Sequence, residues 1–98
     1  MPNASRSLEW SAQSRRDLLR LENHYAQFGQ ITADRVMAAI KRAALSIERF
    51  PLSGRAWEKR QGVRLKPLKA YPLTIVYRPR RRDIQVIRVM EQHREYFN

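Results

Sequence analysis

The spacing of apolar residues along this chain changes period twice. Leu8 and Trp10 alternate with Ser7 and Glu9, which predicts a short first strand. From Leu18 onward the interval becomes three or four residues, through Leu21, Tyr25 and Phe28, the repeat of one helical face. Ser11 suits the N-cap of that helix, because its hydroxyl can accept an orphan backbone N–H, and Gly29 suits its end. A second helix is expected from Thr32, with Asp34 in its first turn, where an acid complements the helix dipole. Val36, Ile40, Ala43, Ile47 and Phe50 make its core stripe, and Ala39 and Ala44 permit close approach beside it. Pro51 ends it, since proline lacks the N–H that the ladder needs. The connection is short, so the helices should fold back as an antiparallel hairpin.

Beyond residue 62 the pattern is that of strands. Runs rich in β-branched residues occupy about 63–69, 72–78 and 84–91, with Pro79 to Asp83 as a hairpin connection between the last two. Pro67 and Pro72 place the first of these near an edge or make it irregular. The intervening segment from Leu52 to Gln61 reads as a loop whose one large apolar residue is Trp57. That indole either packs on the helix hairpin or is left for a partner, and its size favours packing. The order β-α-α-β-β-β defines an α+β fold. The helix hairpin covers one face of a mostly antiparallel sheet of three to four strands, and residues 1–98 form a single domain.

Charge alters this picture more than length does. The 98 residues carry a formal net charge of +11, and from residue 54 onward twelve Lys and Arg stand against four acids. Such a basic sheet suits a polyanion or an acidic protein segment. There is no cysteine, so disulfides and cysteine-held zinc are excluded. His24 and His93 lack ligand spacing, and no metal or other cofactor is expected. No apolar run reaches the roughly 20 residues of a membrane span. Residues 1–6 lack the apolar core of a signal peptide, which leads to the expectation of a cytoplasmic protein.

Several short motifs, in order over about 90 residues, resemble the RelE/ParE toxin superfamily of type II toxin–antitoxin modules. Trp10-Ser11 leads into a helix bearing Asp17-Leu18. Phe50-Pro51-Leu52-Ser53-Gly54-Arg55 is similar to the family's P-x-x-G-R. Gly62-Val63-Arg64 opens the sheet, Tyr71-Pro72 precedes Ile75-Val76-Tyr77-Arg78, and Val86-Ile87-Arg88-Val89-Met90 resembles the closing strand. The P-x-x-G-R element and the Tyr-Pro resemble the ParE branch more closely. That resemblance implies a toxin that poisons DNA gyrase without covalent chemistry of its own, and a cognate antitoxin, acidic and partly disordered until bound. The RelE branch instead cleaves mRNA on the ribosome. Its nucleases carry an arginine three places before the central tyrosine, where this chain has Thr74. An arginine there would stabilise charge developing on the phosphate, which threonine cannot do. The chain also departs from the ParE pattern, with Glu91 at the usual histidine position and His93 two places on.

The candidate target-binding residues are Arg64, Arg78, Arg88, His93 and Arg94, with Glu95-Tyr96-Phe97 as an adjoining surface. Strand alternation should gather Arg64, Lys66, Arg78 and Arg88 on one outer face, where Glu91 is the sole nearby acid in sequence. Under the nuclease alternative the catalytic cluster would be Lys66, His93, Arg94 and Tyr96. A third possibility is a nucleic-acid-binding module without toxicity, though Tyr71 and Tyr77 are few aromatics for base stacking. The Arg80-Arg81-Arg82 tip is either a plain polar turn or a contact. Gly54 suits a turn with positive φ, and Arg55 can bond loop carbonyls.

Overall fold

The computed structural model describes residues 6–92. The elements in order are β1 (Ser7–Trp10), α1 (Ala12–Ala26), α2 (Gln30–Arg49), β2 (Arg55–Ala56), β3 (Arg64–Pro67), β4 (Leu73–Pro79) and β5 (Asp83–Glu91). The strands form one sheet in the order β1-β5-β4-β3-β2. β1 runs parallel to β5 and every other pairing is antiparallel. The sheet therefore has one strand more than expected. The extra one is the two-residue β2, too short to leave a periodic signal and sited where a loop was predicted. It covers Arg64 and Leu65 of β3, so that part of β3 is not the free edge the sequence suggested.

Local chemistry explains the helix ends. Ser11 is extended (φ −66°, ψ 161°) and its Oγ accepts the Ser14 N–H at 3.0 Å, as an N-cap should. Gly29, with φ +108°, reverses the chain and serves as N-cap of α2, whose Ala33 N–H bonds back to its carbonyl. A side chain at position 29 would meet no neighbour within 4 Å, so backbone conformation alone favours glycine there. The second helix thus begins two residues before Thr32, whose hydroxyl bonds back to the Phe28 carbonyl.

Leu21, Val36, Ala39, Ile40, Ala44 and Ile47 are buried against Leu73, Ile75 and Tyr77 of β4 and Ile84, Val86 and Val89 of β5. Leu18, Tyr25 and Ala43 are half-buried around them. Two expected members of the stripes are not core: Phe28 is 66% exposed and Phe50 59%. Both lie just past the last helical residue, Ala26 and Arg49 respectively, where the 3.6-residue rotation that would aim them inward has ceased. Leu21→Ala and Ile40→Ala are each expected to cost about 2–4 kcal/mol, the usual range for such core truncations. Thermal unfolding followed by circular dichroism measures this, and a loss under 1 kcal/mol would mean these side chains are not core.

The outer face of the sheet is not an open field of arginines. Trp57 folds down there with Val63, Leu65 and Val76, and Ile87 packs alongside. The indole is buried as expected, but on the face opposite the helix hairpin. β4 is consequently buried continuously from Leu73 to Tyr77. A bulge on β5 makes room for this. Val76 pairs with Arg88 and Tyr77 with Val86, leaving Ile87 without an opposite partner. The slip resets the alternation, so Val86 and Val89 both reach the helix-side core although three residues apart.

Candidate target-binding surface

The basic residues fall into three environments, and the first begins where β1 stops. Trp10 is the last residue paired with β5, and α1 takes over the vacated edge. The Ser11 N–H donates to the Val86 carbonyl at 3.0 Å and its hydroxyl to the Ile87 carbonyl at 2.9 Å. The Asp17 carboxylate then accepts the Val89 N–H at 2.9 Å. Arg88 meets the same carboxylate with two bonds, Nε to Oδ2 at 2.8 Å and an Nη to Oδ1 at 3.0 Å. Only 1% of the Asp17 side chain is exposed. Burial pushes its pKa up, but the bonds from Arg88, Val89 and Gln13 outweigh this and hold it below the usual carboxylate value. Arg88 is therefore engaged with a buried acid 71 residues away. Glu91, expected to serve the strand arginines, instead bonds Arg20 of α1 at 2.8 Å.

The second environment is the segment after α2. The Tyr77 hydroxyl donates to the Pro51 carbonyl at 2.8 Å and accepts the Gly54 N–H at 2.9 Å. Burial raises the phenol's pKa, only partly offset by the Gly54 bond and the nearby Arg64 charge, so it stays protonated and can donate. Arg64 donates to the Gly54 carbonyl at 2.6 Å, and the Lys66 ammonium approaches the Ser53 hydroxyl at 3.3 Å. Gly54 does not have the positive φ expected of it, which belongs to Gly29 and Gly62. Its requirement is space. A Cβ there would stand 2.7 Å from the Tyr77 hydroxyl and 2.8 Å from the Leu65 carbonyl oxygen.

Arg78 defines the third. By register Arg64 and Lys66 lie opposite Tyr77 and Ile75, on the helix side, whereas Arg78 follows Val76 on the outer side. The expected grouping of Arg64, Lys66, Arg78 and Arg88 on one face is thus not what the fold makes. Arg88, opposite Val76, shares the outer side with Arg78 but turns at the edge of β5 onto Asp17, and register alone puts Arg64 and Lys66 on the other face. Arg78 lies beside Gly62, at the same end of the sheet as the β4–β5 turn. In that turn Arg80 holds Asp83 through two bonds, of 2.6 and 2.8 Å, lowering the Asp83 pKa. Arg81 and Arg82 are exposed. His93, Arg94, Glu95, Tyr96 and Phe97 lie outside the described residues. The chain reaches them from the opposite end of the sheet, where Gln92 bonds Pro72 and Leu73.

The nuclease cluster of Lys66 with His93, Arg94 and Tyr96 is therefore described only at Lys66. Thr74, where a nuclease's arginine would stand, is buried between Pro67 and Met90 and offers no charge to a phosphate. Among the described residues no three His, Asp or Glu side chains are placed to hold a metal ion, and no helix is long and apolar enough to cross a membrane.

A family model described as the ParE toxin of the type II toxin–antitoxin system parDE matches residues 8–96. The chain belongs to the ParE toxin family. Its fold is also that of a chain from the chromosomal ParDE TA system of P. aeruginosa, with a TM-score of 0.80 at 22% identity over 91% of this chain and 98% of that one. A search of curated proteins found no match. The ParE motifs now acquire physical roles. The family-like Asp17 caps the β5 edge, and the P-x-x-G-R glycine is the seat of the central strand's tyrosine. Asp17 was visible in one respect: with Ser14 and Leu21 it occupies a helical stripe, and polar residues in such a stripe need buried partners.

Proposed function

We propose that this ParE toxin acts on DNA gyrase, binding the gyrase–DNA complex and favouring its cleaved state so that breaks accumulate. It would do so without covalent chemistry or a cofactor, by preferring one conformation of its target. The ParE match over residues 8–96 carries this reading, and the buried Thr74 adds to it by leaving the nuclease alternative without its strand cation. Arg78, with His93 and Arg94 beyond the described residues, stays a candidate for target contact. Arg88 and Arg64 are half-buried and engaged by Asp17 and the Gly54 carbonyl, so their replacement would disturb structure as well as any contact.

As the toxin half of a type II pair, the chain requires an antitoxin, which we take to be acidic. The exposed face of α2 supports that chemistry. Ile31, Ala38 and Leu45 recur every seven residues, Arg35, Arg42 and Arg49 follow each by four, and all six are exposed. An amphipathic segment with an apolar seam and flanking acids complements such a face. The place of action, gyrase with its DNA, would be the cytoplasm.

Purified chain should convert supercoiled plasmid to linear DNA in the presence of gyrase and suppress supercoiling, while leaving mRNA intact in a translation extract. Ribosome-dependent mRNA cuts with gyrase untouched would replace this reading with the nuclease one.

A further inference from the structure

We infer that the end of the sheet built from the β4–β5 turn and the loop before β3 grips the phosphate backbone of duplex nucleic acid directly. This goes beyond action on gyrase and does not depend on it. The topology assembles the surface from distant segments. β3 begins opposite the end of β4, β5 begins at the turn, and β1 enters opposite Asp83. Arg6, Lys59, Arg60, Arg78, Arg81 and Arg82 are thereby brought to one end of the sheet, all at least partly exposed. The acid within the turn, Asp83, is already held by Arg80, while Glu58 and Glu9 are the other acids in these segments. From β3 to β1 there are three strand spacings, about 14 Å, comparable to the roughly 12 Å major groove whose rims carry phosphates.

Among the described residues, what this end lacks selects the ligand. The large exposed apolar side chains among them are Leu19, Phe28, Ile31, Leu45, Phe50 and Leu52. None stands in the 58–62 loop or along residues 78–85, and Trp57 is buried beneath. Protein interfaces need an apolar or aromatic centre, and single strands need bases stacked on aromatics. Cations alone suit duplex phosphates, which are bound through counterion release and without sequence preference.

The test is fluorescence anisotropy of the full chain, without gyrase, on labelled 20-base-pair DNA duplex, RNA duplex, single-stranded DNA and polyglutamate, from about 50 to 200 mM salt. One variant combines Arg60→Ser, Arg81→Ser and Arg82→Ser. A charge-matched control combines Arg15→Ser, Lys41→Ser and Lys69→Ser, exposed cations of the two helices and of the β3–β4 connection. Circular dichroism confirms that both fold. The sheet-end variant should flatten the slope of log K against log salt by about 2–3 and weaken duplex binding at least about tenfold. The control should stay near the parent. Both duplexes should bind more tightly than the single strand. Equal losses in the two variants would reduce the effect to net charge and overturn the inference. So would a preference for the single strand or for polyglutamate, the latter assigning this surface to an acidic protein. A gyrase assay that fails while duplex binding survives would overturn the proposed target and leave this inference standing.

Discussion

Gly54→Ala should lower the melting temperature by roughly 10–20 °C, corresponding to about 2–4 kcal/mol in a domain of this size. The added methyl would sit 2.7 Å from the Tyr77 hydroxyl, 2.8 Å from the Leu65 carbonyl oxygen and 2.9 Å from Tyr77 Cε1. None of these atoms can retreat cheaply. The Tyr77 ring is fully buried among Ile75, Val86 and the α2 stripe, and the Leu65 carbonyl belongs to a paired strand. The segment from Pro51 to Gly54 must move instead, giving up both bonds of the Tyr77 hydroxyl and the Arg64 bond to the Gly54 carbonyl. Tyr77→Phe, which keeps the ring, should cost less, about 1–3 kcal/mol, by stranding a buried N–H and a carbonyl. In the double variant the hydroxyl is absent and part of the clash with it, so the losses should be less than additive. A Gly54→Ala protein that melts within about 2 °C of the parent would show that the contact is not needed.

Asp17→Ala should be at least as damaging, about 3–5 kcal/mol, since it strands the buried Val89 N–H and removes the paired carboxylate of the half-buried Arg88. Replacing both partners by apolar residues, Asp17→Leu with Arg88→Met, should recover part of the loss, because no charge is then left inside. The acid also fixes a pH dependence. Its pKa is lower in the folded chain than in the unfolded one. The stabilisation is therefore complete above the ordinary carboxylate value and is lost as pH falls through the folded value. Urea titrations from about pH 6 down to about pH 2 should show parent stability falling more steeply than that of Asp17→Asn. Parallel pH profiles would mean that Asp17 carries no such linkage.

Much of the scaffold was legible along the chain because its signals are local. Ser11 caps a helix through a residue three places on, Pro51 ends one by its own ring, and the helix-side stripe from Leu18 to Ile47 follows a period set by helical geometry. Where a local rule was extended past its element it failed, as for Phe28 and Phe50, which stand beyond the last helical turn. The Gly54 position was recognised, but for conformation when the reason was space. A spatial requirement depends on Tyr77, 23 residues away, and no periodicity encodes that distance.

The residues of the linear pattern by themselves determined the helix hairpin, the antiparallel meander, the concentration of positive charge in the last part of the chain and the resemblance to ParE. Tertiary structure alone decided what each arginine meets. Arg88 and Arg64 look identical to Arg78 on a strand, yet Asp17 at the β5 edge and the Gly54 carbonyl engage the first two, and the third lies beside the turn. Pairing between strands also turned scattered cations at 59, 60, 78, 81 and 82 into one end of a sheet. The reason is that secondary structure follows from neighbours within a few residues, whereas the fate of a charge depends on which distant group the folded chain brings within about 3 Å of it.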